Sequence, residues 1–168
     1  MTSFLPSNYK VPQSGGNYLK LKSGDNRVRI MGNPLIGWVY FNSSDKPVRS
    51  IEKPENMVNP KEREGGTIEA PKEFWAMPIW DYSDKTIKIA EITQKSIKEA
   101  IVDLHMSEFW GDPLKYDLNI KKSGEKLSTE YNVQPLPATP VPVEAENALI
   151  AKPIKLEALL TGGDPFAN

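Results

Sequence analysis

The residues of this chain with chemistry to offer are its four tryptophans, its six tyrosines and its 21 lysines and arginines. Many of them alternate with aliphatics: Tyr18-Leu19-Lys20-Leu21-Lys22, Arg27-Val28-Arg29-Ile30, Trp38-Val39-Tyr40-Phe41 and the run from Phe74 to Tyr82. Successive side chains of a β-strand point to opposite faces, so such segments bury one face and turn rings and cations outward. Rings stack on bases, and Lys and Arg draw phosphates, a combination suited to single-stranded nucleic acid. The competing interpretation is that rings in strands are simply core.

Other chemistries lack residues. Cysteine is absent and His105 is the single histidine, so thiolate zinc sites, cysteine nucleophiles and disulfides are excluded. Asp81 with Asp84, or Asp112 with Asp117, offers carboxylates for a magnesium-dependent nuclease. Neither pair has a general base beside it, and both lie by turns, where aspartate is common. The expectation is a non-catalytic chain without cofactor or metal. No apolar run approaches the ~20 residues that span a bilayer, and the first residues lack an export signal, so a cytoplasmic protein without membrane contact is expected.

The net charge is only −1, but it is unevenly placed. Residues 1–63 hold ten Lys and Arg, including all four arginines, against five Asp and Glu. A cationic surface built there would steer a polyanion although the whole chain is near neutral.

These side chains need elements to position them. Residues 1–16 hold Pro6, Pro12 and Ser14-Gly15-Gly16 without periodicity and read as a flexible arm. Tyr18–Lys22 and Arg27–Met31 alternate around Ser23-Gly24-Asp25-Asn26, which predicts a β-hairpin with Leu19, Leu21, Val28 and Ile30 inward. Tyr18, Lys20, Lys22, Arg27 and Arg29 then face out. Leu35–Asn42 is a strand whose aliphatic side is core, leaving Trp38 and Tyr40 exposed. Residues 51–72, rich in Pro, Glu and Lys with Gly65-Gly66 inside, read as a mobile loop.

Glu73–Asp81 is strand-like, and Pro78 suggests an edge or a bulge. Both of its faces are apolar, so at least one of Trp75 and Trp80 belongs to the core. Thr86–Ile92 is a further strand. Ile97, Ala100, Ile101 and Leu104 give one apolar helical face behind Thr93 as N-cap, with His105 near the helix end as a dipole partner. Trp110 reads as a turn anchor. Strands over Leu114–Lys121 and Thr129–Val133 complete a folded unit of residues 17–134. Strands with one helix before the fourth long strand unit are what an OB barrel of five or more antiparallel strands requires. Residues 135–168 read as a Pro-rich linker and tail, with a short helix at Ile154–Leu160.

Several stretches resemble the single-stranded DNA-binding proteins of tailed bacteriophages, related to the T4-type helix-destabilising protein. They are YLKLKSGDNRVRIM (Tyr18–Met31), FWAMPIWDY (Phe74–Tyr82), IAEITQKSIKEAI (Ile89–Ile101), WGDPLKYDLNIKKSG (Trp110–Gly124) and TEYNVQPLP (Thr129–Pro137). The resemblance implies an OB fold and sequence-tolerant single-strand binding in replication, recombination or repair. T4-type members carry a structural zinc site built on cysteine and histidine, which a cysteine-free chain does not inherit. Asp164-Pro165-Phe166 is similar to the acidic tips through which such proteins recruit replication or recombination partners.

The expected DNA-binding set is therefore Trp38, Tyr40, Trp75, Trp80, Tyr18 and Tyr82 for bases, with Lys20, Lys22, Arg27, Arg29 and Arg49 for phosphates. Asp164, Pro165 and Phe166 form the expected partner contact. The alternatives are a protein-binding adaptor on an OB core and, behind it, the metal-dependent nuclease.

Overall fold

Alternation of apolar and polar residues organises seven strands into one antiparallel sheet. The structure, a computed structural model, describes Phe4 and residues 16–167. Apart from Phe4 and Gly16, the expected arm over residues 1–16 lies outside the described residues. The strands are β1 (Gly24–Ile30), β2 (Leu35–Phe41), β3 (Pro47–Ser50), β4 (Lys72–Asp81), β5 (Thr86–Ile92), β6 (Leu118–Ser123) and β7 (Glu130–Pro135). Helix α1 (Lys95–Met106) follows β5, and α2 (Val143–Ala151) follows β7.

β1 and β2 share one edge of β4: Ile30 lies opposite Ile79, and Leu35 opposite Ala76. They act as a single long strand interrupted by a bulge at Met31–Pro34. Pro78 sits beside that bulge, inside the sheet rather than at an edge. Its carbonyl accepts from Met31 N–H at 2.8 Å, so its nitrogen faces the interruption and no ladder bond is lost there. Gly37 is needed for close approach, because a Cβ there would lie 2.5 Å from the Ser50 carbonyl of β3.

β5 covers the other edge of β4, β6 pairs with β1, and β7 pairs with β6. Among the described residues no pairing closes the path β3-β2-β4-β1-β6-β7, so the fold is a mainly β open sheet rather than a hydrogen-bonded barrel. The predicted hairpin also gives way. Tyr18–Lys22 does not pair with β1; Tyr18 bridges Ile89 in parallel, and Leu19 N–H donates to Ile89 O at 2.9 Å. Ser23–Asn26 therefore does not return the chain onto itself. β1 finds long-range partners in β4 and β6 instead.

One face of the sheet wraps a core of Val28, Ile30, Met77, Ile79, Leu118 and Ile120, against which α1 lays Ile97 and Ile101. The helix begins at Lys95 behind Gln94, not at the Thr93 cap. The opposite face of β4 and β5 is also buried, and this overturns the expected linker and tail. Ala145 of α2 packs with Trp80 and Ile87, while Leu159 of a 3-10 turn over Leu156–Thr161 packs with Val39, Phe74, Ala76 and Ile89. Residues 141–166 form a third layer on the sheet. β4 explains why: its two apolar faces cannot both be covered by one core.

Candidate nucleic-acid interface

Strand phase sends Ile36, Trp38 and Tyr40 to the α1 side of β2, and pairing sets Ile36 opposite Trp75 and Trp38 opposite Glu73. Trp38 and Trp75 are thus diagonal neighbours on one face. Both are half-buried, and Ile36 beside them is exposed. The Lys53 ammonium lies 5.2 Å from the Trp38 ring, within cation–π range. Lys98 of α1 borders the same surface and is tied to Glu73, donating to its carbonyl at 3.1 Å and its carboxylate at 3.4 Å. A groove of about 350 Å³ continues from Trp75 and Ile36 along α1, past Val102 and His105 to Pro113 and Leu114.

The remaining expected stacking residues lie elsewhere. Tyr40 is 8% exposed, and its hydroxyl accepts from Val58 N–H at 3.0 Å. The 51–72 segment covers the ring. Trp80 is 3% exposed and faces α2, on the other side of the sheet from Trp75. Tyr18 is half-buried against the Leu159 layer, where desolvation raises its phenol above the ordinary value.

Two of the expected phosphate ligands instead build an ionic knot. Arg29 is 2% exposed, contrary to the outward placement predicted from alternation. It faces away from the Val28 core as expected, but the end of β4 and residues 114–117 cover that side. Its Nε and Nη2 donate to Leu114 O, and its Nη1 donates to Asp117 Oδ1 at 3.3 Å. Arg27 donates from Nε and Nη2 to Asp117 Oδ2 at 3.1 and 2.7 Å and lies 4.6 Å over the Tyr82 ring. Tyr82 donates its hydroxyl to Asp117 Oδ1 at 2.9 Å. Burial and that hydrogen bond push the Tyr82 phenol up to about 12. Both oxygens of the buried Asp117 carboxylate are engaged, as burial demands, while Arg27 keeps its outward placement with its side chain 53% exposed.

Arg49 likewise forms a bidentate pair with Glu91, at 2.9 and 2.7 Å, both groups mostly buried. Lys20 and Lys22 are exposed. The carboxylates considered for magnesium are also engaged. The Lys88 ammonium sits between Asp81 and Asp84 at 2.9 and 2.7 Å, and Asp112 accepts from Leu114 N–H. Among the described residues no group of three His, Asp or Glu could hold a metal ion.

A second open surface escaped strand-phase reasoning. Residues 42–71 are pinned beside β2: Lys61 N–H donates to Phe41 O and Ser43 N–H to Asn59 O, with an isolated bridge between Asn42 and Pro60. Glu62 bridges Ile68, turning at Gly65-Gly66, both with positive φ. This brings Lys61, Arg63 and Lys72 around a cavity of about 380 Å³ with Phe41 and Val39 on its wall. In the sequence these cations lie in a segment of mixed charge. Only the long-range bridges gather them.

The expected partner tip is tucked in. Pro165 is buried with its carbonyl accepting from Lys155 N–H at 2.8 Å, Asp164 accepts from Phe166 N–H, and the Lys152 ammonium lies 4.5 Å from the Phe166 ring. Among the described residues no helix is long and apolar enough to cross a membrane. Comparison with protein families, curated proteins and solved structures finds no match to the chain.

Proposed function

We propose that the chain binds single-stranded DNA without sequence preference and without catalysis, in phage replication, recombination or repair. The observation that carries this is the Trp38–Trp75 pair: two partly exposed indoles that are diagonal neighbours on one sheet face, with Lys53 over one of them. Bases stack on such rings for about 1–3 kcal/mol each. The apolar wall at Ile36 adds contact area, and the exposed Lys53 and Lys95 stand at the margin for phosphates.

The connectivity supports an OB-type relationship. With β1 and β2 counted as one bent strand, its pairings with β4 and β6, those of β4 with β5 and β6 with β7, and the helix between β5 and β6 follow the OB order. The missing contact is between β5 and β7. That seam is lined by Leu19, Leu21, Ile92 and Tyr131 instead of hydrogen bonds.

Oligo-dT titration watched by tryptophan fluorescence tests the proposal. Quenching is expected, with Trp38→Ala and Trp75→Ala each weakening affinity about 5- to 150-fold. Absence of both quenching and a gel shift at low salt would refute it. Exposed Val102, Met106 and Phe109 beside the α1 groove favour the adaptor alternative. A stable protein partner recovered after nuclease treatment, by protein that ignores oligo-dT, would decide for it.

A further inference from the structure

Phe41 is 50% exposed at the mouth of the cavity between the 42–71 insertion and the β2–β4 face, although the β2 residue before it is buried. Three cations converge on that cavity. Lys61 pairs with Asp45 at 2.7 Å, and Glu69 holds both Arg63 and Lys72 at 2.7 Å. Hydrogen bonds from Lys72 and Arg63 keep the Glu69 carboxyl below its ordinary range. Three positive groups against two carboxylates leave one positive charge in excess.

All of these pairs are solvated, with every member more than 40% exposed. Exposed ion pairs contribute about 0–1 kcal/mol, so an incoming phosphate competes with Asp45 and Glu69 at little cost. The cavity volume falls within the range of small-ligand sites, which join an apolar wall to a few convergent polar groups. The wall here is a flat ring with Val39 behind it. The site is also held in place, because the backbone bonds at Phe41–Lys61 and Ser43–Asn59 fix the insertion against β2.

We propose that this cavity is a nucleotide subsite in which Phe41 stacks one base while Lys61, Arg63 and Lys72 receive the flanking phosphates. The inference rests on single-strand binding by the chain and adds a second contact region, separate from Trp38 and Trp75. Arg63 supplies the planar fork for a phosphate, and Lys61 and Lys72 act as point charges.

The test compares wild type with a Lys61→Ala/Arg63→Ala double variant and with Phe41→Ala, titrated with oligo-dT across a salt series. Losing two phosphate contacts reduces the slope of log affinity against log salt by about 1.4. Phe41→Ala weakens binding about 5- to 150-fold. These side chains are exposed, so thermal unfolding at the wild-type midpoint is expected for both variants. As a second measurement, a thymidine dinucleotide carrying a 5′ phosphate shifts the Lys61 and Arg63 amides in an NMR titration. Oligo-dT binding that depends on Trp38 and Trp75, with an unchanged salt slope and unmoved Lys61 and Arg63 amides, overturns the subsite and leaves the single-strand proposal standing. No binding by wild type overturns both.

Discussion

The Arg29 guanidinium reaches Asp117 Oδ1 at 3.3 Å, with both side chains buried. This pair ties β1 to the residue preceding β6, and Arg27 and Tyr82 complete the carboxylate's hydrogen bonds. Removing one partner of a buried ion pair leaves an unpaired charge, which costs about 3–5 kcal/mol. Asp117→Ala is therefore expected to destabilise the fold by that amount, measured as a fall in the urea midpoint. A loss below 1 kcal/mol would contradict the geometry.

Tyr82 carries a pH prediction. Its phenol is held at about 12 in the folded state, by burial first and by Asp117 second, against an ordinary value of 10.0. Between those values the unfolded chain has released the proton and the folded chain retains it. Stability contributed by Tyr82 is thus fully present below pH ~10 and is lost as pH rises towards ~12. Tyr82→Phe should show a shallower decline in melting temperature across that window than wild type. Parallel curves for the two proteins would argue against it.

The C-terminal layer is structural. Leu159 is buried against Val39, Phe74, Ala76 and Ile89, so Leu159→Ala is expected to cost about 2–5 kcal/mol. Truncation after Pro140 should uncover Trp80 and Phe74 and produce aggregation or dye binding typical of exposed apolar surface. A truncated chain with an unchanged unfolding midpoint would restore the interpretation of this segment as a dispensable tail.

The indoles should separate by accessibility. Trp80, between β4 and α2, is expected to resist acrylamide quenching, whereas Trp38 and Trp75 are quenched. Variants retaining one tryptophan at a time would measure this. An accessible Trp80 would move the candidate interface to the opposite face of the sheet.

Strand identity was largely legible in the sequence. Alternation located β2, β4 and β5 to within about two residues, and the Ile97–Leu104 periodicity located α1, because each pattern depends only on local backbone geometry. Pairing was less legible. Tyr18–Lys22 alternates as a hairpin arm should, yet β1 bonds to residues more than 40 positions away. Helix α2 escaped because its Ala-rich pattern lies within a Pro-rich stretch, and its burial depends on an apolar sheet face supplied by β4.

Local alternation is enough to say which side chains share a face: Trp38 with Ile36, Arg27 with Arg29, and Trp75 opposite in phase to Trp80, since period two is a property of the extended chain. Which of those faces stay open was set by long-range packing. A side chain's exposure depends on what packs over its strand. The covers here, α2 over Trp80, the 51–72 segment over Tyr40 and the Leu114–Asp117 stretch over Arg29, all come from distant parts of the chain. The same long-range packing left Trp38 and Trp75 half-open and gathered Phe41, Lys61, Arg63 and Lys72 around one cavity.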